Sequence, residues 1–417
     1  MTILSRFSRS LPVLKACGLF YVVAVSAIAQ TSGSRPLVES LSVHSPELLA
    51  WRTAEVSTVA PDSNAHSIHS YFNTNPESPD GQFVVYFHST ARTGESGALH
   101  LLNRKDGSVR VLKTGITAED AHRVACQQWA AGGRFVAYHD FRDGRWLVAA
   151  IDIENGTERI LAADRQIGFG AVASPWVPIY GWHWKQGPHR DLELANVLTG
   201  EIRKALTIDA AIAAYGADIR RAVGEGDVSV FFPVMSPDSS RVFFKIARGS
   251  GGDDFRSKGA SAREGKVVFN FTTGKFVQFY KYWGHPVWMP DSPGILENNN
   301  RIYFPDTGKS RPVAPDTPDA HPSPAPDGRL FATDALIARR EGGRPDEWAI
   351  MVASIESSEY IAVHRFIHKD GARSWRGSHP HPVFSADGRR IYFNVSNGDF
   401  TRLHVAENKK QTAALVH

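Results

Sequence analysis

Ser78-Pro79-Asp80-Gly81, followed at once by Gln82-Phe83-Val84-Val85-Tyr86-Phe87, is the stretch that decides how this chain folds. Proline fixes φ at the corner of a tight turn, and Asp-Gly tolerates the positive φ that the connection needs. The run that follows is β-branched and aromatic, and such side chains pack well on a pleated surface. The phrase reads as a hairpin turn delivering the chain into a strand. Outward from it, variants recur before β-rich runs, with turns at Asp80, Gly132, Asp238, Asp291, Asp327 and Asp387. A seventh, without the motif, falls near Trp176, before Val177-Pro178-Ile179-Tyr180. Spacings of 36 to 62 residues, with room for four short strands each, suit a propeller blade better than a sandwich or a helical solenoid. The expected fold is all-β, a seven-bladed β-propeller.

In such a blade the first strand runs down the central channel, the turn reverses it at the bottom, and the second strand climbs back. Starts of first strands and ends of second strands therefore share one face. The segment Leu37 to Val59 precedes the first turn with too few partners of its own and is expected to close the ring beside the last blade. Ala210 to Val228 alone has helical composition, Ala-rich with Arg220 and Arg221, and is a candidate lid on a connection to the top face.

The 417 residues are 42% hydrophobic and 11% aromatic, enough for a large core and outside the disordered range. Arg6, Arg9 and Lys15 precede an apolar run from Ala16 to Val25 and the small-residue pattern Ala27-Ile28-Ala29. This is the pattern of a secretory signal peptide over residues 1–29, leaving 30–417 as a single propeller domain, secreted or periplasmic. No apolar run reaches the length of a membrane span. Removing three basic residues takes the net charge from +4 to +1, so no nucleic-acid footprint remains. Cys17 lies in the leader and Cys126 stands alone after cleavage, which excludes an internal disulfide. Cys126 reads as a small buried hydrophobe.

Histidines fall in register. His285, His321 and His381 each lie six residues before a turn aspartate, and each is followed by proline. Phe232-Pro233 occupies the same register before Asp238, so the architecture does not itself require histidine there. His379 adds a ring on the same strand face as His381, because side chains alternate with period two. Converging neutral imidazoles bind zinc or manganese, which makes His321, His379 and His381 the candidate metal ligands. His122 and His69 sit near the top of two further inner strands, and His88, His139, Tyr180 and His183 near the ends of second strands. Arg190 follows on the same face. Together His122, His139, Tyr180 and Arg190 offer bases, a phenol and a cation, the groups needed to abstract a proton α to a carboxylate and protonate a leaving oxygen.

Over most of the mature chain, and at His122-Arg123-Val124-Ala125-Cys126-Gln127-Gln128-Trp129 and His379-Pro380-His381-Pro382-Val383-Phe384 above all, the sequence resembles the propeller polysaccharide lyases, the ulvan lyases and oligogalacturonate lyases. The resemblance implies β-elimination on a uronic-acid glycan, leaving an unsaturated uronate. Its oligogalacturonate branch implies a base histidine, matched by His285, and a manganese site of histidines and a glutamine, matched by His321, His379 and His381. The glutamine's place, three residues before His379, holds Arg376, which cannot ligate a cation. The ulvan branch implies two histidines, a tyrosine and an arginine with a mainly structural zinc; His122, His139, Tyr180 and Arg190 match it, with Tyr215 and Arg248 as alternatives. The export signal favours the ulvan branch, a large polymer met outside the cytoplasm, and zinc ahead of manganese. Arg248, His183, Tyr215 and His285 are the candidate substrate-binding residues, with Arg256 and Lys258 on a loop within reach. The expected partner is an anionic polysaccharide, with neither nucleic acid nor membrane, and the expected state is a monomer.

A non-catalytic periplasmic propeller scaffold, which shares the Ser-Pro-Asp-Gly repeat, is the competing reading, but it offers no reason for histidines in register. A propeller-bearing peptidase is excluded by the lack of a G-x-S-x-G elbow.

Overall fold

The computed structural model describes residues 37–291 and 293–409. The expected leader, 1–29, lies outside the described residues. Seven sheets follow one another along the chain, antiparallel except for the short parallel pairing of Lys369–Asp370 with Arg390–Gly398 in the last. Blade one comprises His66–Ile68, Phe83–Ser89, Ser96–Asn103 and Val109–Thr117. Blades two to six repeat the pattern, with inner strands Gln128–Ala130, Gln166–Ile167, Ser229–Met235, Val287–Trp288 and Ser323–Pro324. Blade seven takes Val383–Phe384, Arg390–Gly398 and Thr401–Glu407 from the end of the described chain and its outermost strand, Glu55–Thr58, from the beginning. The pairing of Glu55 with Glu407 and Thr58 with His404 closes the ring where the sequence placed the closure.

Each of the seven anticipated turns joins, or leads into, the first two strands of a blade. The recurring serine and aspartate have a specific task there. Ser78 Oγ donates to Asp80 Oδ1 at 2.5 Å and accepts the Phe83 N–H at 2.9 Å, which holds the turn against the strand it launches. Ser236 with Asp238 and Ser385 with Asp387 repeat the arrangement. Gly81, at φ 72°, supplies the left-handed residue that completes the first of these turns.

The helix Ile208–Val223 forms where its composition suggested, capped by Thr207, whose hydroxyl accepts the Ala210 N–H at 3.2 Å. It is not placed as a lid. Tyr215 packs on Phe276 and Phe279 of the outermost strand of blade four, so the helix leans outward on that blade's edge. No helix among the described residues is long and apolar enough to cross a membrane.

Blades one and seven are fastened at the lower face by a buried ion pair. Arg390 donates to Glu77 at 2.7 and 2.9 Å, Tyr392 also bonds to Glu77, and Glu77 is only 2% exposed. Removing one partner of a buried pair strands the other's charge. Arg390 would keep Asp387 and, more weakly, Glu407. Glu77→Ala is therefore expected to cost about 3 kcal/mol of stability, read as a lowered denaturation midpoint; an unchanged midpoint would contradict this role.

Candidate functional site

All seven blades send an aromatic or imidazole ring toward the propeller axis at the upper face. Tyr71 and Phe72 of blade one are the hub. Tyr71 touches His122 of blade two, Phe169 of blade three, Phe232 of blade four and His381 of blade seven, with ring centroids 4.6 to 5.5 Å apart. Phe72 meets His285 of blade five and His321 of blade six at 6.0 and 5.2 Å. The channel is thus plugged by rings, with imidazoles gathered on one side of the plug.

Backbone and carboxylate contacts fix how those imidazoles point. Asp334, fully buried, accepts the His321 N–H at 3.0 Å, the His321 Nδ1–H at 2.8 Å and the His381 N–H at 3.1 Å. Burial alone would raise the Asp334 pKa, but His321 and these hydrogen bonds hold it below the usual carboxylate value. An ionised Asp334 requires the His321 proton on Nδ1 and leaves the Nε2 lone pair free. His122 is held by its own N–H on Asp120 Oδ1 at 3.0 Å and by Nδ1 on the Gly377 carbonyl at 3.3 Å. His381 has a left-handed backbone, φ 47°, and Phe232 at the equivalent register has φ 55°. Both precede proline, as do His285 and His321 at the same register, but those two are not left-handed, so the strained turn is shared by blades four and seven, where it carries different rings.

One ring nitrogen from each of His122, His321, His379 and His381 lies within 4.8 Å of the others. Burial lowers the His379 pKa to about 4 and those of His122 and His381 well below the ordinary imidazole value, with neighbouring cations and imidazoles adding to the effect. These rings are neutral at pH 7. Both nitrogens of His381 and Nδ1 of His379 are buried without a hydrogen-bond partner, and each such orphan costs about 1–3 kcal/mol if nothing binds it. Orphaned neutral nitrogens facing one another, with a carboxylate behind one ring, fit a divalent cation. His122 offers the fourth nitrogen of the cluster.

Beside the cluster opens a cavity of about 400 Å³ whose walls include Tyr71, His285, Trp283 and Trp375 and five cations, Arg123, Lys245, Lys258, Arg263 and Arg376, with no carboxylate. Lys245 and Arg263 have no ion-pair partner among the described residues. Their charged ends lie over rings instead: Lys245 Nζ is 4.9 Å from the Trp283 centroid and the Arg263 guanidinium 5.4 Å from that of Phe231. Burial lowers the Lys245 pKa to about 7, against the opposing pull of Glu264. His285 is set on the wall by its N–H on Glu297 Oε2 at 3.0 Å, and Glu297 is itself paired with Lys266. Gly284 permits this approach, since a Cβ there would lie 2.2 Å from Glu297 Oε2. Burial, then His321, lowers the His285 pKa to about 3, and its Nδ1 is buried without a partner.

The other anticipated site residues separate into two groups. His139, Tyr180 and His183 are fully buried and do not line the cavity; they lie with Glu119 behind Arg123. Glu119 pairs with Arg123 at 2.6 Å and stands 3.5 Å from His183 Nε2. Arg190, Arg248 and Tyr215 serve the helix. Arg190 pairs with Asp209 and Asp227, at 3.0 and 3.5 Å, and Arg248 Nε donates to the Val223 carbonyl at 2.6 Å, capping the last turn. These residues were placed at the site by blade position alone, and the outward lean of the helix takes them with it. Arg256 lies over Phe255 and Phe141, whereas Lys258 lines the cavity. Cys126 is buried, its thiol pushed up to about 12 by burial.

Sequence reasoning passed over Tyr71, Arg123, Lys245 and Arg263. One signal was present: Lys245 interrupts the apolar run Val242-Phe243-Phe244-Lys245-Ile246, and a lysine at such a position is rarely buried without a purpose.

The purified protein is expected to carry about one divalent ion per chain by elemental analysis, lost in the double variant His379→Ala/His381→Ala. Asp334→Asn should weaken retention roughly 10- to 100-fold, the usual effect of removing a carboxylate behind a ligating histidine. Equal metal content in all three proteins would exclude the cluster as the site.

No protein-family model matches this chain, and no curated protein matches its sequence. Among solved structures it is similar to an oligogalacturonate lyase in complex with manganese, at 16% identity and a TM-score of 0.58, covering 85% of this chain and 93% of that one. It is likewise similar to an oligogalacturonate lyase from Vibrio parahaemolyticus, at 14% identity and a TM-score of 0.58, covering 89% of this chain and 96% of the other. At such identities the likeness establishes a shared propeller fold.

Proposed function

We propose that this protein is a polysaccharide lyase that cleaves a uronic-acid glycan by β-elimination, with ulvan as the first substrate to test and oligogalacturonates as the second. One observation carries the reading: a cation-rich cavity without carboxylates has a neutral histidine, His285, on its wall, and that ring stands 4.4 Å from His321 of a four-imidazole cluster. An adjacent uronate fits these groups. Lys245, Arg263 and Arg376 receive its carboxylate and offset the charge that builds up as the neighbouring C–H bond breaks. His285, neutral at pH 7, takes the C5 proton; the electron pair becomes the C4–C5 double bond as the C4–O bond breaks. Tyr71, whose pKa burial raises to about 12, remains protonated and supplies a proton to the departing oxygen. A divalent ion held by His122, His321, His379 and His381, zinc ahead of manganese, would add positive charge beside the uronate carboxylate.

This assignment differs from the expected quartet of His122, His139, Tyr180 and Arg190. In the proposed site His122 is a ligand, and His139 and Tyr180 buttress Arg123 from behind. The oligogalacturonate lyases that share the fold support a lyase on such a scaffold, and the neutral His285 on the cavity wall supports the base assigned to it here. A scaffold without activity remains the reading of another class, and it would leave a carboxylate-free cationic cavity without a ligand. The leader pattern over residues 1–29 supports a secreted or periplasmic enzyme acting on large polymers.

The test is ultraviolet absorbance of the unsaturated uronate after incubating metal-replete protein with ulvan and, separately, with oligogalacturonates. His285→Ala should lower kcat about 10²- to 10⁴-fold, the usual contribution of a general base. A loss confined to His139→Ala would return the base to the buried layer, and no product from either substrate would leave the scaffold reading ahead. Affinity should also follow the Lys245 ammonium, which is present below about pH 7 and lost above it. KM is therefore expected to rise roughly tenfold from pH 6 to pH 8.5, the loss of one charge-assisted hydrogen bond. Lys245→Arg should flatten that rise; an unaltered profile in the variant would remove Lys245 from substrate binding.

A further inference from the structure

We propose that the basic cavity carries a second chemistry, hydrolysis of an O-acetyl ester on an acidic sugar, with Ser261 as nucleophile, His183 as its base and Glu119 behind the base. Ser261 opens the third strand of blade four, Ser261–Asn270, and lines the cavity. Its Oγ is 2.8 Å from Nδ1 of His183, which lies on the connection between the second and third strands of blade three and is buried behind the wall. His183 Nε2 in turn stands 3.5 Å from Glu119 Oε1. A hydroxyl on the wall, an imidazole and a carboxylate form one chain leading inward, and such a trio is recognised by geometry and roles rather than by a sequence motif.

The hydrogen bonds around the trio decide where its protons lie. Glu119 Oε2 accepts from Arg123 Nη2 at 2.6 Å and from Gln166 Nε2 at 3.1 Å. Glu119 Oε1 and His183 Nε2 have no other partner among the described residues, so they are left to each other. Burial would raise the Glu119 pKa, but Arg123 holds it well below the usual carboxylate range. An ionised Glu119 draws the ring proton of His183 to Nε2, and Nδ1 then accepts the Ser261 hydroxyl. Burial lowers the His183 pKa against the opposing pull of Glu119, so the ring is neutral at pH 7 and ready to take a proton. Phe231 and Trp184 fix its plane, packing edge to face with centroids 4.7 and 5.1 Å away. A weak nucleophile with a base in hydrogen-bond reach, the base oriented by a third group, is the arrangement that activates a serine.

In the proposed reaction Ser261 Oγ adds to the acetyl carbonyl carbon and its proton passes to His183 Nδ1. Two cations on the cavity wall are available to the oxyanion that forms. Arg263 lies two residues along the same strand and so on the same face as Ser261, and Arg123 has Nε and Nη1 buried without a partner. The sugar oxygen departs with the proton from His183, leaving acetyl-Ser261. Water then adds to the acetyl carbon and gives a proton to His183, and Ser261 leaves with that proton as acetic acid is released. Glu119 stays ionised throughout and is a positioning residue. The cavity walls select the substrate class. Five cations without a carboxylate favour an acidic sugar, and about 400 Å³, near the small end of ligand pockets, suits a short acyl group. That the acidic sugar is a uronate rests on the lyase reading; the serine chemistry does not.

Acetate release from acetylated galacturonan and acetylated glucuronoxylan fragments tests this, with acetylated neutral xylo-oligosaccharides as the uncharged control. The acidic fragments should react at least about tenfold faster, the effect of one charge-assisted hydrogen bond. Ser261→Ala and His183→Ala are each expected to lower kcat about 10²- to 10⁴-fold, with no further loss in the double variant, because a nucleophile and its base act as a unit. A fluorophosphonate should label the wild type at Ser261, as located by mass spectrometry. Glu119→Gln should slow that labelling, which mere support of the wall would leave unchanged. Ser261→Cys, close in size and matched to the wild type in denaturation midpoint, should lose it. No acetate from any fragment, or release that survives Ser261→Ala, overturns the proposal, and equal rates on the neutral control overturn the acidic substrate. Acetate is measured apart from the unsaturated uronate, so the two readings fail separately. Acetate without ultraviolet product upholds the serine chemistry and removes the lyase, and ultraviolet product without acetate does the reverse.

Discussion

Rings meeting on the propeller axis are the contact on which the rest of this structure depends. Tyr71 and Phe72 touch a ring from each of the other six blades. A propeller needs something to fill its channel, and here the filling has two chemistries. Phe169 and Phe232 close one side with apolar surface, while His122, His285, His321 and His381 close the other with groups that carry lone pairs. The aromatic side makes the histidine side dry. Dryness in turn keeps the His122, His285 and His381 imidazoles neutral, because burial penalises their charged form.

A dry cluster of nitrogens is costly unless something organises it, and the organiser is Asp334. It reaches both blade six and blade seven at the axis, bonding to the ring and backbone of His321 and to the backbone of His381. Its charge selects a tautomer for His321 and so turns a packing residue into a donor. Asp120 does a similar service from blade two by holding the backbone of His122 and Arg123. The left-handed turn at His381 then points that ring inward, as the same turn points Phe232 inward at blade four.

Behind the cavity, the buried layer of Glu119, Arg123, His139, Tyr180 and His183 supports the cationic wall. Burial would raise the Glu119 pKa, but Arg123 holds it well below the usual carboxylate range, so the pair is ionic. Glu119 also receives Gln166 and, through its carbonyl, the Trp375 indole. Arg123 can therefore present its charge to the cavity without a free carboxylate standing there to cancel it. Lys245 and Arg263 have no such partner among the described residues, and their charged ends lie over the rings of Trp283 and Phe231.

The amino-acid order by itself determined the blade count, the turns and the ring closure. Those features are local: tight turns, three of them Ser-x-Asp, and β-rich runs carry their own geometry, and seven such turns leave one architecture. It also placed His285, His321 and His381 at one register, because a repeat fold converts equal spacing from a turn into equal height along the axis. Arg190, Arg248 and Tyr215 were beyond its reach, since their positions depend on which way a helix leans between blades. So was the difference between His122, which meets the other imidazoles, and His139, which is sealed behind Arg123. Both histidines belong to blade two, and only the packing of blades two, six and seven around Tyr71 separates them. The charge of the cavity was likewise a tertiary decision. Arg123, Lys245, Arg263 and Arg376 come from three blades, and their meeting without a carboxylate depends on distances that no spacing along the chain encodes.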